Sequence, residues 1–160
     1  MSELTLPAAL LKGRGVSFAQ PHRFEATARG AFDDGWGTLD AAQAEEHTAP
    51  ATQVSWEDPK SAITTNASPD IGFLHGLNPY RGCEHGCVYC YARPAHAYMN
   101  LSPGLDFETK IFWKPNAAEV LERELRKPGY VCKRIHIGGN TDPYQTVEKD
   151  LRVKIGRAHV

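Results

Sequence analysis

Asn78-Pro79-Tyr80-Arg81-Gly82-Cys83-Glu84-His85-Gly86-Cys87-Val88-Tyr89-Cys90-Tyr91-Ala92-Arg93-Pro94-Ala95-His96 is the stretch on which the reading of this chain turns. Three thiols fall within eight residues, spaced C-x3-C-x2-C, with the aromatic Tyr89 directly before the last. Gly82 and Gly86 loosen the backbone around them, so three side chains can converge on one point. Iron–sulfur clusters are ordinarily held by four cysteines. Three, with no fourth nearby, suit a cubane cluster that leaves one iron open to a substrate or cofactor. Such an arrangement points to chemistry rather than electron storage.

Two other readings of the thiols stand beside this one. His85 or His96 could complete a Cys3His site around tetrahedral zinc, although structural zinc sites usually pair two knuckles and only one is present. A disulfide needs an oxidising compartment, and nothing in the sequence suggests secretion. Cys132, in Gly129-Tyr130-Val131-Cys132-Lys133, reads as a small hydrophobe entering a strand rather than as a ligand.

Working outward, Ile71 to Leu77 is apolar and reads as a short buried strand leading into the thiol loop. Tyr91 to Asn100 is a helix candidate, with Pro94 tolerable in its first turn. Phe107 to Lys114 alternates in its second half and reads as a strand. Pro115 opens a helix over Asn116 to Lys127, with Ala118, Leu121 and Leu125 inward and Glu119, Glu122 and Arg126 outward. Pro128-Gly129 stops it. Lys133 to Gly139 is the next strand, and Val147 to Arg152 starts another helix. Alternating strands and helices predict an α/β fold of parallel strands with crossover helices. Ile135 to Gln145 then carries a glycine pair and a polar turn at a strand's C-terminal end, where α/β folds place ligands. Asn140, Thr141 and Asp142 offer acceptors there, and Gly138 and Gly139 would let a ligand approach the backbone. The bland alternative is an ordinary turn, with Asp142 bonding locally before Pro143.

The stretch Asn78 to His96 resembles the cluster loop of radical S-adenosylmethionine (SAM) proteins. The flanking text, Ser68-Pro69-Asp70-Ile71-Gly72-Phe73 before it and Leu101 to Leu121 and Asn140 to Arg152 after it, is similar to the spore-photoproduct-lyase-like branch. The resemblance runs from about Ser55 to Val153. The sequence departs from the pattern at Phe73 to Leu77, where a serine-containing lead is expected, and at Gly139-Asn140-Thr141, where many such enzymes carry Gly-Gly-Glu. The resemblance implies the N-terminal part of a partial (β/α) barrel. Cys83, Cys87 and Cys90 would ligate a [4Fe-4S] cluster. Tyr89 would lie against the SAM adenine, and Gly138, Gly139, Asn140, Thr141 and Asp142 would hold its amino group. It further implies a 5′-deoxyadenosyl radical, lyase-like chemistry, a DNA photoproduct as one substrate, and an electron donor such as a flavodoxin or ferredoxin. Fold and cofactor do not fix substrate. The alternative from another class is a zinc-stabilised binding module without catalysis.

Composition bounds these readings. The chain has 160 residues, 41% of them hydrophobic, and 18 basic against 19 acidic side chains for a net charge of −1. No large field steers it toward nucleic acid or an anionic membrane surface. Leu4 to Leu11 is too short for a membrane span and is broken by Pro7. A cytoplasmic setting is expected. Residues 1–69 read as an irregular extension with Gly and Pro punctuation and an Ala-rich linker over 40–52. Trp36 and Trp56 are expected to anchor it as a surface wrap, the other reading being an arm that touches substrate or RNA. Within it, Thr52 to Asp58 alternates enough to be a short strand. Residues 70–154 form the expected core. Ile155 to Val160 back-translates as ATC GGA AGA GCA CAC GTC, a common sequencing-read adapter. The expectation is therefore an N-terminal piece of a longer protein.

Overall fold

A computed structural model describes residues 14–16, 19–25 and 51–153. Trp36, most of the expected extension and residues 155–160 lie outside the described residues. Among the described residues, six short strands form two three-stranded sheets. In the first, β5 (Lys110–Trp113) is central, parallel to β1 (Gln53–Trp56) and antiparallel to β4 (Tyr80–Arg81). In the second, β3 (His75–Leu77) is central, antiparallel to β2 (Ile63–Thr65) and parallel to β6 (Ile135–Ile137). The architecture is mixed α/β. The run of purely parallel strands expected from the alternation is not what forms: β5 pairs away from β3 and β6, and two of the four pairings are antiparallel.

The short strand expected over Thr52 to Asp58 forms as β1, and β2 adds a strand that the reading of an irregular extension did not include. β1 and β2 both precede residue 69, yet each pairs with a strand beyond it. β1 occupies the sheet edge with all four residues exposed, and Trp56 is 68% exposed, so it does not anchor a wrap. The apolar run before the thiol loop is only partly buried. Gly76 and Leu77 are covered, while Ile71 and Leu74 face solvent.

The segment after the thiol loop is a 3-10 helix, Arg93–Met99, with Pro94 in its first turn, where a missing N–H costs nothing. Asn100 ends it in the left-handed conformation, φ 58°. A five-residue helix, Leu105–Thr109, follows where the sequence suggested the approach to a strand. The Asp106 carboxylate accepts the Ser102 N–H at 2.8 Å and fixes its entry. β5 follows without a loop.

The Ala117–Leu125 helix forms as expected but is rotated. Ala117 and Val120 are buried and Leu121 packs beside them, whereas Leu125 is 40% exposed. Val120 meets Ala62 and Leu77, with Leu121 and Ile135 around them. Glu124 drives the rotation, because its carboxylate accepts the N–H groups of Ala62 at 3.2 Å and Ile63 at 3.0 Å at the entry to β2. Burial opposes ionisation of Glu124, but hydrogen bonds from Ser61, Ile63 and Ala62 outweigh it and hold the carboxyl below its usual range. The linkage sign follows from the lowered folded pKa. The stabilisation is complete above the ordinary glutamate pKa and is lost as pH falls through the lowered folded value. Glu124→Gln should therefore lower thermal stability at neutral pH by about 1 kcal/mol. The deficit should shrink in melts recorded at progressively acidic pH; a constant deficit would remove the charge from this account.

A second cluster joins Tyr80, Ile111 and Val153, with Trp113, Val147 and Leu151 against it. It ties the Glu148–Leu151 helix to the first sheet. The Tyr80 hydroxyl donates to the Glu148 carboxylate inside it.

Candidate functional site

The thiol loop leaves β4 through Gly82, at φ 77°. A Cβ there would meet the Lys110 carbonyl oxygen at 2.9 Å and both His96 Cε1 and Ile111 Cδ1 at 3.0 Å, so only glycine fits. The Cys83 N–H then donates to the Phe107 carbonyl at 2.9 Å. Two turns follow, closed by Gly86 N–H to Cys83 O and Cys90 N–H to Cys87 O. Cys83 is buried with Ala92 and Phe107, Cys90 packs beside them, and Cys87 is exposed. All three thiols are free, as is Cys132. Cys132 faces solvent ahead of β6 rather than packing in a strand.

Among the described residues, no group of three or more His, Cys, Asp and Glu side chains is closed around a point where a metal ion could sit. The donor set still fits a thiophilic metal: three unpaired thiols on one loop, the first receiving backbone N–H groups. Burial raises the Cys83 pKa, the Asp142 and His85 N–H groups lower it by hydrogen bonding, and the Asp142 and Cys90 charges raise it, leaving it above the usual thiol value.

Those N–H groups show what the sequence left separate. The Gly138 to Asp142 loop lies against the thiol loop. The Thr141 hydroxyl donates to the Gly82 carbonyl at 2.6 Å, across 59 positions of chain. The Tyr91 hydroxyl donates to the Gly139 carbonyl. The Asn140 N–H donates to Asn78 Oδ1 at 2.9 Å, and Gln145 Oε1 accepts the Glu84 N–H at 3.2 Å.

The expected ligand-binding residues divide into two groups. Thr141 is buried and committed to Gly82, so it builds the site rather than facing into it. Gly138, at φ 84°, shapes a tight turn in which a Cβ would meet Pro143 Cδ at 2.5 Å. Gly139 lies over His136, where a Cβ would come within 3.2 Å of the ring. Asp142 does bond locally, accepting the Tyr144 N–H at 2.7 Å. Its other oxygen pairs with His85 Nε2 at 3.2 Å, both side chains about half exposed. Asn140 is exposed, and Tyr89 presents 87% of its surface to solvent beside Tyr91 at 75% and Val88 at 61%. Tyr89 therefore does not pack beneath the loop.

The histidines considered for zinc are both engaged. His85 faces Asp142. His96 is fully buried and bonds the Lys110 carbonyl through Nε2 at 3.0 Å, which requires the proton there. Burial lowers its pKa, keeping the ring neutral, and Nδ1 has no hydrogen-bond partner.

The two flanking arginines differ. Arg81 forms a bidentate pair with Glu57, at 2.7 and 2.9 Å. Arg93 is buried and pairs with Glu108, which is fully buried. Glu84, also buried, accepts the Thr52 hydroxyl at 2.8 Å and the Val147 N–H at 3.1 Å. Glu84 and Glu108 were not among the expected site residues. The sequence carries no signal for either: Glu84 sits beside His85 and Glu108 between Asp106 and Lys110, in polar company, and only their burial shows that they need partners.

No family model matches the chain, and no solved structure does. The uncharacterized protein Rv2578c of Mycobacterium tuberculosis (strain H37Rv) is 49% identical over 78 residues, covering 49% of this chain and 23% of that protein. The same figures hold for the uncharacterized protein Mb2609c of Mycobacterium bovis. The uncharacterized protein MJ0683 of Methanocaldococcus jannaschii is 23% identical over 94 residues, covering 59% of this chain and 33% of that protein. The chain thus spans about a quarter of the mycobacterial relatives it matches. Among the described residues no helix is long and apolar enough to cross a membrane.

Proposed function

We propose that this chain carries the cofactor-binding part of a radical SAM enzyme of the lyase-like branch. Cys83, Cys87 and Cys90 would hold a [4Fe-4S] cluster, and Tyr89 with the Gly138 to Asp142 loop would hold SAM. One observation carries the reading. The thiol loop and the strand-end loop are pinned together through Thr141, Tyr91 and Asn140, so thiols and carboxylate acceptor share one place. When bound, these groups supply reductive cleavage of a carbon–sulfur bond and a 5′-deoxyadenosyl radical. The chain's own part is to bind and orient. Tyr89 offers an open aromatic face for a purine, and Asp142 offers a half-exposed carboxylate for an ammonium. Carbon–carbon bond cleavage in a DNA photoproduct is the substrate reading, with a flavodoxin or ferredoxin as electron donor in the cytoplasm.

Anaerobic reconstitution with iron and sulfide tests the reading. A broad visible absorbance that bleaches on reduction is the expected result. A colourless protein holding one zinc per chain would replace it with the binding-module reading.

Asp142→Ala should weaken SAM binding about tenfold to a hundredfold, the cost of one charge-assisted hydrogen bond of roughly 1.5–3 kcal/mol. Iron content should not change. Titration calorimetry of SAM into the reconstituted protein decides it, and unchanged affinity would leave Asp142 as the Tyr144 and His85 partner only.

A further inference from the structure

Glu108 has no solvent exposure, and donors converge on it from three directions. Oε1 accepts Arg93 Nη2 at 2.5 Å. Oε2 accepts the backbone N–H groups of Arg14 and Gly15, each at 2.9 Å. Its carbonyl accepts Arg14 Nη1 at 2.6 Å. Arg93 spends its other N–H groups on the carbonyls of Cys87 at 2.9 Å, Gly86 at 3.0 Å, Gly104 at 3.0 Å and Pro103 at 3.3 Å. Gly86 lies between the first two thiols, and Cys87 is the second of them. A continuous path of hydrogen bonds therefore runs from residues 14–15, through Glu108 and Arg93, into the thiol loop.

A second strap runs beside it. Arg14 Nη2 donates to Thr52 Oγ1 at 2.6 Å and reaches Glu84 Oε1 at 3.4 Å. Glu84 directly follows Cys83. The fit is close, because a Cβ on Gly15 would sit 1.7 Å from the Gly86 carbonyl oxygen.

We propose that the Arg14-Gly15 segment is a brace of the thiol loop, acting through Glu108 and Arg93 as positioning residues that keep Cys83 covered and the loop shaped for its ligand. A buried carboxylate with a single partner is costly, since each oxygen left without donors forfeits its solvation. Arg14 and Gly15 supply the donors for Oε2. With the segment lifted, Oε2 loses both donors beside the Gly86 turn, where a Cβ on Gly86 would lie 3.2 Å from it. What the loop holds rests on the function proposed above; that it is braced does not.

The test is cysteine alkylation by iodoacetamide in the full 160-residue chain without metal, mapped site by site by mass spectrometry. Gly15→Ala cannot seat against Gly86. Arg14→Ala keeps its backbone N–H but loses the guanidinium bonds to the Glu108 carbonyl, Thr52 and Glu84 that hold the segment down; neither variant alters the packed clusters. The expected result is that Cys83 reacts about tenfold faster in both variants, the factor for ~1.4 kcal/mol of lost local protection. The rate at exposed Cys132, the internal control, and the far-ultraviolet circular dichroism should not change. Iron uptake by the same variants on reconstitution should fall. Unchanged Cys83 rates in both variants would overturn the brace, even if the parent chain takes up iron. Faster Cys83 alkylation in both variants, together with a parent chain that takes up no iron, would keep the brace and remove the cluster.

Discussion

Cys83→Ala, Cys87→Ala and Cys90→Ala should each abolish assembly of an iron–sulfur cluster, while Cys132→Ala leaves iron and sulfide content at the parent level. The structure makes this a sharper test than spacing alone. Cys87 is exposed, so its truncation removes a proposed ligand and no packing. Loss of iron in Cys87→Ala cannot then be charged to unfolding. Cys83 is buried against Ala92 and Phe107, so its truncation also leaves a small void costing about 1 kcal/mol. Its melting temperature should fall slightly, with iron lost in full. Cys132, exposed ahead of β6, supplies the thiol that has no ligand spacing. Iron, sulfide and zinc would be counted together on anaerobically reconstituted protein. Full iron in any triad variant, or its loss in Cys132→Ala, would break the assignment. Zinc bound by the parent and lost in the same three variants would move it to the Cys3His reading.

The parts of this molecule that sequence made legible are those specified locally. The thiol spacing, the helix after Pro115, the strand over Lys110–Trp113 and the turn at Gly138 are each written within a dozen residues. What was missed is non-local. Helical spacing suggested Ala118, Leu121 and Leu125 as the buried face, but Glu124 binds the N–H groups of Ala62 and Ile63 and turns the helix toward Ala117 and Val120. No periodicity encodes a carboxylate that caps a strand some sixty residues earlier. The sheet order was hidden for the same reason: β1 reads as a short alternating strand, but nothing in it names β5 as its partner. At the site, the thiols and the Gly138 to Asp142 loop were each visible, and their contact through Thr141 and Gly82 was not. Glu108 was passed over because the alternation of β5 masked the short helix before it.

Arg93→Met should destabilise the chain by about 3–5 kcal/mol, the range for removing one partner of a buried ion pair. The cost has two parts. Glu108 is left with no solvent access and only the Arg14 and Gly15 N–H groups as donors. The carbonyls of Gly86, Cys87, Pro103 and Gly104 all lose the guanidinium that satisfied them. Arg93→Lys should recover only part, because one ammonium cannot reproduce the planar fork that reaches four carbonyls and a carboxylate at once. The melting temperature of Arg93→Met should drop by about 10 °C or more for a folded unit of this size. The double variant Arg93→Met with Glu108→Leu separates the two parts. Removing the stranded charge should restore a good share of the loss, since an apolar pair of similar volume often matches a buried ion pair. The remainder measures the four carbonyls. If the double variant is no more stable than Arg93→Met alone, the charge of Glu108 is not what Arg93 neutralises, and carbonyl bonding alone accounts for its burial.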